Sequence, residues 1–94
     1  MVFEETRCKF AEVIGVLRHE QSKESLVSPL AYRLAYSIPL YFYKKRTVEE
    51  AVVELKRIAE CTKNDRTYFE KYVWQVRNEC REEFLSEMSH NETL

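Results

Sequence analysis

The chain has 94 residues and a formal net charge of −1, and its content of 45% apolar and 33% charged residues is typical of one folded domain rather than of a disordered segment. Gly15 is the single glycine, so the chain has no glycine-rich loop to bring backbone N–H groups against a phosphate, which excludes P-loop and dinucleotide-binding sites. The scarcity of glycine and proline disfavours hairpin turns and favours long helices with short connections.

An amphipathic pattern predicts the first helix, from Phe3 to about Gln21. Its apolar residues recur at spacings of three and four: Phe3, Phe10, Val13, Ile14 and Leu17. Gly15 in its middle costs about 1 kcal/mol relative to alanine. Either another backbone passes close to this glycine or the cost is simply tolerated. A short polar connection, residues 22–25, follows.

Residues 26–43 are the most apolar stretch, with one charge, Arg33, and four of the six tyrosines. As a helix, the stretch begins with Ser28 as N-cap and Pro29 at the first helical position, and Pro39 kinks it. As a strand, residues 30–43 alternate with a period of two. We favour the helix, because the turn residues that a hairpin partner would need are nearly absent.

The same stretch approaches the length of a membrane-spanning helix. Arg33 near its centre, two prolines and four tyrosine hydroxyls make it a poor span. We therefore expect a buried central helix and no membrane partner.

Thr47 and Glu50 form a capping-box pattern that predicts the start of a third helix. Its apolar face consists of Val48, Ala51, Val52, Leu55, Ile58 and Ala59. The helix is expected to end near Asp65, whose side chain can cap the next one.

The fourth helix is predicted from Arg66 to about Met88, with residues 89–94 as a frayed tail. Its stripe consists of Phe69, Tyr72, Val73, Val76, Cys80 and Phe84. It is longer than the usual helix of about 11–12 residues, so we expect it to extend past the body of the protein. The predicted fold is one all-α, four-helix bundle-like domain with a kinked central second helix; α+β, with residues 30–43 as a strand, is the alternative.

Residues that carry chemistry are sparse. The only histidines, His19 and His90, are far apart, so no paired-histidine metal site or catalytic diad can be built from neighbours in sequence. The cysteines, Cys8, Cys61 and Cys80, lack a C-x-x-C spacing and are expected to be reduced, buried thiols. We predict no catalytic or metal-binding residue, no cofactor and no enzymatic activity.

The N-terminal residues indicate where the protein resides. Five charged side chains follow Met1 within twelve residues: Glu4, Glu5, Arg7, Lys9 and Glu12. They interrupt any apolar region of a secretory signal, so we expect a cytoplasmic location.

Residues 55–72, LKRIAECTKNDRTYFEKY, have Ile58 and Ala59 on a first helix, Asp65 at the start of a second, and Phe69 and Tyr72 at its buried positions. This arrangement resembles the helix-turn-helix motif of DNA-binding regulators, which implies a small nucleic-acid-binding regulator. It departs from the motif at Lys63 and Asn64, where a turn glycine and an apolar residue are usual. An ordinary helical hairpin explains the same spacing.

The charges are unevenly distributed, since residues 30–66 carry eight Lys or Arg against five acids and residues 67–94 carry three against six. If the resemblance holds, Arg66, Thr67, Glu70 and Lys71 would face the groove. The basic residues that could contact nucleic acid are Lys44, Lys45, Arg46, Lys63, Arg66 and Lys71.

The function that we favour is a homodimeric protein-interaction module. The chain has twelve aromatic residues, more than one inner seam of a four-helix monomer accommodates. Five aromatic residues fall outside the predicted core faces and are expected in a two-fold interface: Tyr32, Tyr36, Tyr41, Tyr43 and Trp74.

Overall fold

The computed structural model describes residues 2–23 and 27–92. The chain forms five helices: α1 (Val2–Lys23), α2 (Val27–Ser37), α3 (Tyr41–Lys44), α4 (Val48–Asn64) and α5 (Tyr68–Glu92). No strand occurs in the described residues, so the all-α prediction is confirmed and the strand alternative for residues 30–43 is wrong. None of the helices, as far as they are described, is long and apolar enough to cross a membrane.

Helix α2 lies at the centre, packed between α1 and α4, and α5 packs mainly on α4. Its residues Ala31, Leu34 and Ala35 are completely buried. The other completely buried apolar side chains come from α1 and α4: Val13, Leu17, Leu55, Ile58 and Ala59. The prediction of an apolar, central second helix is therefore confirmed.

The chain differs from the predicted four helices at Pro39, which ends α2 instead of kinking it. Proline has no N–H to donate, and its ring would clash with the carbonyl of Ala35, one turn earlier. The chain turns tightly instead, as the N–H groups of Phe42 and Tyr43 donate to the carbonyls of Pro39 and Leu40, each at 3.0 Å. The turn carries Phe42 and Tyr43 into the core, where they are 2% and 1% exposed.

The predicted capping box opens α4. The Thr47 hydroxyl oxygen accepts from the Glu50 N–H at 3.1 Å, and Glu50 Oε1 accepts from the Thr47 N–H at 2.9 Å. The hydrogen bond from the Thr47 N–H, above all, lowers the pKa of Glu50. The predicted apolar face of α4 is buried, and Val48 packs partly buried at its edge.

Asp65 separates α4 from α5, and its Oδ1 accepts from the N–H of Thr67 at 3.0 Å and from its hydroxyl at 2.7 Å. Asp65 thus stabilises the turn before α5. The carbonyl of Thr67 accepts the first hydrogen bond of the helix, from the Lys71 N–H at 3.1 Å, so Asp65 does not occupy the predicted N-cap position. Helix α5 begins at Tyr68 and continues to Glu92, four residues beyond the predicted end.

Ser28 and Pro29 lie inside α2, which includes Val27, so the predicted N-cap at Ser28 is wrong. The predicted packing of Phe3 falls outside the described side chains.

Candidate interaction surface

The five aromatic residues predicted for an interface do not form one surface. Tyr32 and Tyr36 pack edge to face on α2 with ring centroids 5.1 Å apart, and Phe10 of α1 contacts Tyr36 at 5.6 Å. Tyr41 lies against Phe84 of α5, with ring centroids 5.8 Å apart. Within the described part of the chain, no ring contact joins these residues to Trp74.

Tyr43 corrects the prediction, because it lies inside the protomer. Its hydroxyl donates to the carbonyl of Ala35 at 2.9 Å, and its ring contacts the rings of Phe10 and Phe42. Burial raises the pKa of Tyr43. The prediction that Tyr43 lies outside the monomer core was wrong, because it assumed that the helix continued through Pro39.

Most of the large, exposed apolar side chains of the described residues lie on α5. Its inner side is buried through Val73, Val76 and Cys80. Its other sides carry four large, exposed apolar side chains, which we call the α5 outer face: Trp74 (68% exposed), Phe84 (43%), Leu85 (51%) and Met88 (44%).

Helical periodicity aligns the α5 outer face. Trp74 and Leu85 are eleven residues apart, about three turns at 3.6 residues per turn, and therefore lie on the same side. A shallow groove beside Trp74 is lined by Glu70, Lys71, Gln75 and Asn78. Phe84 contacts α3 through Tyr41, whereas Leu85 and Met88 lie beyond this contact. The helix thus presents exposed apolar side chains both where it packs on the other helices and beyond its contact with α3.

The basic residues predicted for nucleic acid separate into two groups at opposite ends of α4. Residues 44–46 precede this helix, whereas Lys63 and Arg66 lie at its other end. Seventeen helical residues at about 1.5 Å each place the two groups about 25 Å apart. The arrangement does not favour one continuous basic surface.

Several of these basic side chains also have partners within the protein. Lys45 Nζ lies 3.5 Å from Glu83 Oε1, and Lys63 Nζ lies 3.8 Å from Glu60 Oε1. The Lys44 ammonium lies 5.4 Å from the ring centroid of Tyr41. Arg66, two residues before α5, and Lys71, in its first turn, are exposed, and the acidic residue Glu70 is adjacent to Lys71.

Arg46 belongs to a polar network that the sequence did not predict. Its Nε donates to Glu54 Oε2 at 2.8 Å, its Nη1 donates to the carbonyl of Phe42 at 3.0 Å, and its guanidinium lies 4.0 Å from the Phe42 ring centroid. Tyr72 donates to the second carboxylate oxygen, Glu54 Oε1, at 2.7 Å. Arg46 therefore joins α3 to Glu54 of α4, and Tyr72 of α5 enters the network through the same carboxylate. These contacts within the protomer make Arg46 a weaker candidate for contact with nucleic acid.

A second unpredicted cluster joins α1 to α2. Arg18 Nη2 donates to the Tyr32 hydroxyl at 2.9 Å, and the hydroxyl oxygens of Tyr32 and Tyr36 lie 3.2 Å apart. The hydrogen bond from Arg18 lowers the pKa of Tyr32, and the hydrogen bond to Tyr32 raises the pKa of Tyr36. The sequence gives no local signal for this cluster, since Arg18 and Tyr32 are 14 residues apart.

The three cysteines are free thiols with different exposure. Cys80 is buried, and its burial raises the pKa of the thiol. Cys61 is half-buried, whereas Cys8 is exposed, so the predicted burial is wrong for Cys8.

Comparison of the chain with protein-family models, curated proteins and solved structures gave no match.

Proposed function

We propose that the protein is a homodimeric interaction module whose two copies pair through the α5 outer face. The observation that supports this function is the concentration of exposed apolar side chains on one helix, led by Trp74 at 68% exposure. Tryptophan and methionine are among the residues enriched at protein interfaces.

A second copy is the occupant that fits this helix best. Trp74 and Met88 are each seven residues, about two turns, from Arg81. A two-fold axis that crosses antiparallel helices near Arg81 therefore sets Trp74 of each copy opposite Met88 of the other. The thioether of methionine packs favourably on aromatic rings.

The charges near this axis limit the strength of self-pairing. Arg81 and Glu82 are adjacent and both exposed. Antiparallel pairing about Arg81 sets the two arginines of the dimer opposite each other, and Glu82 of each copy lies one residue further along its helix, to the side of this pair. Closed two-fold pairing is nevertheless the commonest form of oligomer.

Pairing along one helix is expected to be moderate in strength. Stable interfaces bury about 800 Å² on each partner. The segment from Trp74 to Met88 is about 21 Å long at 1.5 Å per residue, so it offers a narrow contact. We expect dissociation constants in the micromolar range.

We propose a cytoplasmic location, since three free thiols suit a reducing compartment.

Sedimentation equilibrium over a range of concentrations tests the proposal. The mass should rise from 11.3 kDa toward twice that value as the concentration increases. Trp74→Ser should shift the midpoint at least tenfold, because Trp74 is the largest and most exposed apolar side chain of the α5 outer face. Val53→Ser is the matched control, since Val53 is 66% exposed on α4 and outside the α5 outer face.

Two results would contradict the proposal. One is a mass that stays at 11.3 kDa at all concentrations. The other is an equal effect of Trp74→Ser and Val53→Ser, which would show that association does not use the α5 outer face. Trp74 is the single tryptophan, so a blue shift of its fluorescence on association would report its burial directly.

A further inference from the structure

We infer that Arg18, Tyr32 and Tyr36 form a binding site for a phosphate monoester carried on a flat apolar group. Arg18 and one tyrosine hydroxyl donate to the phosphate oxygens, and the neighbouring rings contact the apolar group. The site lies on α1 and α2, so it does not depend on pairing through α5.

The count of protons in the cluster shows that donors are left over. The Tyr32 and Tyr36 hydroxyls carry one proton each, and one of the two protons lies in the hydrogen bond between them. Whichever hydroxyl donates, the other has a proton that the pair does not use. Beside it, the Arg18 guanidinium has five N–H groups, of which the contact with Tyr32 uses one.

Charge around Arg18 favours an anion. Arg18 donates a hydrogen bond to the Tyr32 hydroxyl at 2.9 Å and, among the described residues, forms no ion pair with a carboxylate. Lys56 of α4, which reaches α1, differs from Arg18 because it is paired with a carboxylate: its Nζ lies 2.6 Å from Glu20 Oε2. Arg18 is thus held by a neutral partner that positions the guanidinium without neutralising its charge.

The number and direction of the donors favour phosphate over carboxylate. A guanidinium presents a planar fork that binds two oxygens of either anion. The free hydroxyl of the tyrosine pair adds a donor from a different residue, which suits a third oxygen on a tetrahedral phosphate. Tyr36 is 55% exposed and stacks edge to face with Phe10, so an apolar ring surface lies beside the donors.

Titration of the protein with phenyl phosphate, followed by the side-chain Nε–H resonance of Arg18, tests the site. We expect a dissociation constant of about 1 mM, because the site is open to water. Benzoate, which has the same ring on a carboxylate, should bind at least fivefold more weakly, and so should inorganic phosphate, which lacks the ring.

The variants separate a built site from general attraction to positive charge. Arg18→Lys keeps the charge and removes the fork, so it should weaken phenyl phosphate binding at least fivefold. Arg33→Lys is the same change at an exposed arginine of α2 outside the cluster and should leave binding unchanged. Equal losses in these two variants, or no binding up to about 10 mM, would overturn the inference.

The two tyrosines should behave differently. Tyr36→Phe leaves the Tyr32 hydroxyl with its proton free, so binding should stay within twofold. Tyr32→Phe removes the oxygen that positions Arg18, so binding should fall at least fivefold. If Tyr32→Phe bound as tightly as the unaltered protein, the assigned role of the cluster would be wrong.

Discussion

Tyr43 donates its hydroxyl proton to the carbonyl of Ala35 at 2.9 Å, across the break at Pro39. In a continuous helix, this carbonyl would accept from the backbone N–H of residue 39, four positions later. Proline has no such N–H. A side chain from the next helix thus supplies the donor that the backbone lacks, and a buried carbonyl remains satisfied.

We predict that Tyr43→Phe destabilises the protein by about 1–3 kcal/mol, because it leaves the Ala35 carbonyl buried without a donor while the ring keeps its packing. The measurement is the free energy of unfolding from urea titration. Tyr36→Phe at an exposed position should change it by less than about 0.5 kcal/mol. Equal stabilities of the two variants would show that the Ala35 carbonyl finds another donor.

We predict that stability falls at alkaline pH. Burial, above all, raises the pKa of both Tyr43 and Tyr72 above the usual value of about 10. Below pH about 10 both hydroxyls are protonated in the folded and unfolded states, and stability is fully present. Above it, the unfolded state loses these protons first, so the free energy of unfolding decreases with pH.

Urea titrations between pH about 8 and 11 measure this slope. The double variant Tyr43→Phe and Tyr72→Phe should flatten it, although both proteins still contain other tyrosines. A slope that is the same with and without these two hydroxyls would mean that other groups cause the alkaline loss.

We predict energetic coupling between Tyr72 and Glu54. Tyr72→Phe should be more costly in the unaltered protein than in a Glu54→Ala background, because the hydroxyl then has no carboxylate to bind at 2.7 Å. The double-mutant cycle should give a coupling energy of about 0.5–3 kcal/mol. Tyr68→Phe, also half-buried near the start of α5, serves as a control that should show additive behaviour.

We predict that Gly15→Ala stabilises the protein by about 1 kcal/mol, the difference in helix propensity. A Cβ on Gly15 would meet no atom within 4 Å, so no close backbone contact requires the glycine. The reverse change at the exposed residue Ala11 of the same helix should destabilise by a similar amount. A loss of stability in Gly15→Ala would imply that something outside the protomer approaches α1 there.

Features that depend on neighbours in sequence were predictable. The capping box needs Thr47 and Glu50 alone, three residues apart, and both of its hydrogen bonds form. The buried face of α4 follows from its own periodicity. The sequence predicted that Pro39 disturbs the helix, but it did not show whether the helix kinks there or ends. The two outcomes place the following residues differently, because a kinked helix continues whereas a helix that ends is followed by a turn.

The polar clusters could not be predicted, since their members meet through the packing of separate helices. Arg18 and Tyr32 are 14 residues apart, and Glu54 and Tyr72 are 18 apart. Their contacts depend on how far each helix is rotated about its axis, which no single helical pattern specifies. Trp74, predicted for an interface, is exposed on α5. Tyr43, predicted for the same interface, lies in the core because of the turn at Pro39.

The length of α5 has a consequence for amide hydrogen exchange. The side chains of Val73, Val76 and Cys80 are buried, so the amides of residues 73–80 should exchange only when the whole domain opens. Beyond Phe84 the helix has exposed side chains such as Leu85 and Met88, so its amides should exchange by local unwinding, many orders of magnitude faster. One continuous helix would then show two rates of amide exchange. The first rate is limited by global unfolding, and the second is limited by local unwinding, which becomes slower if a partner covers the far end of the helix.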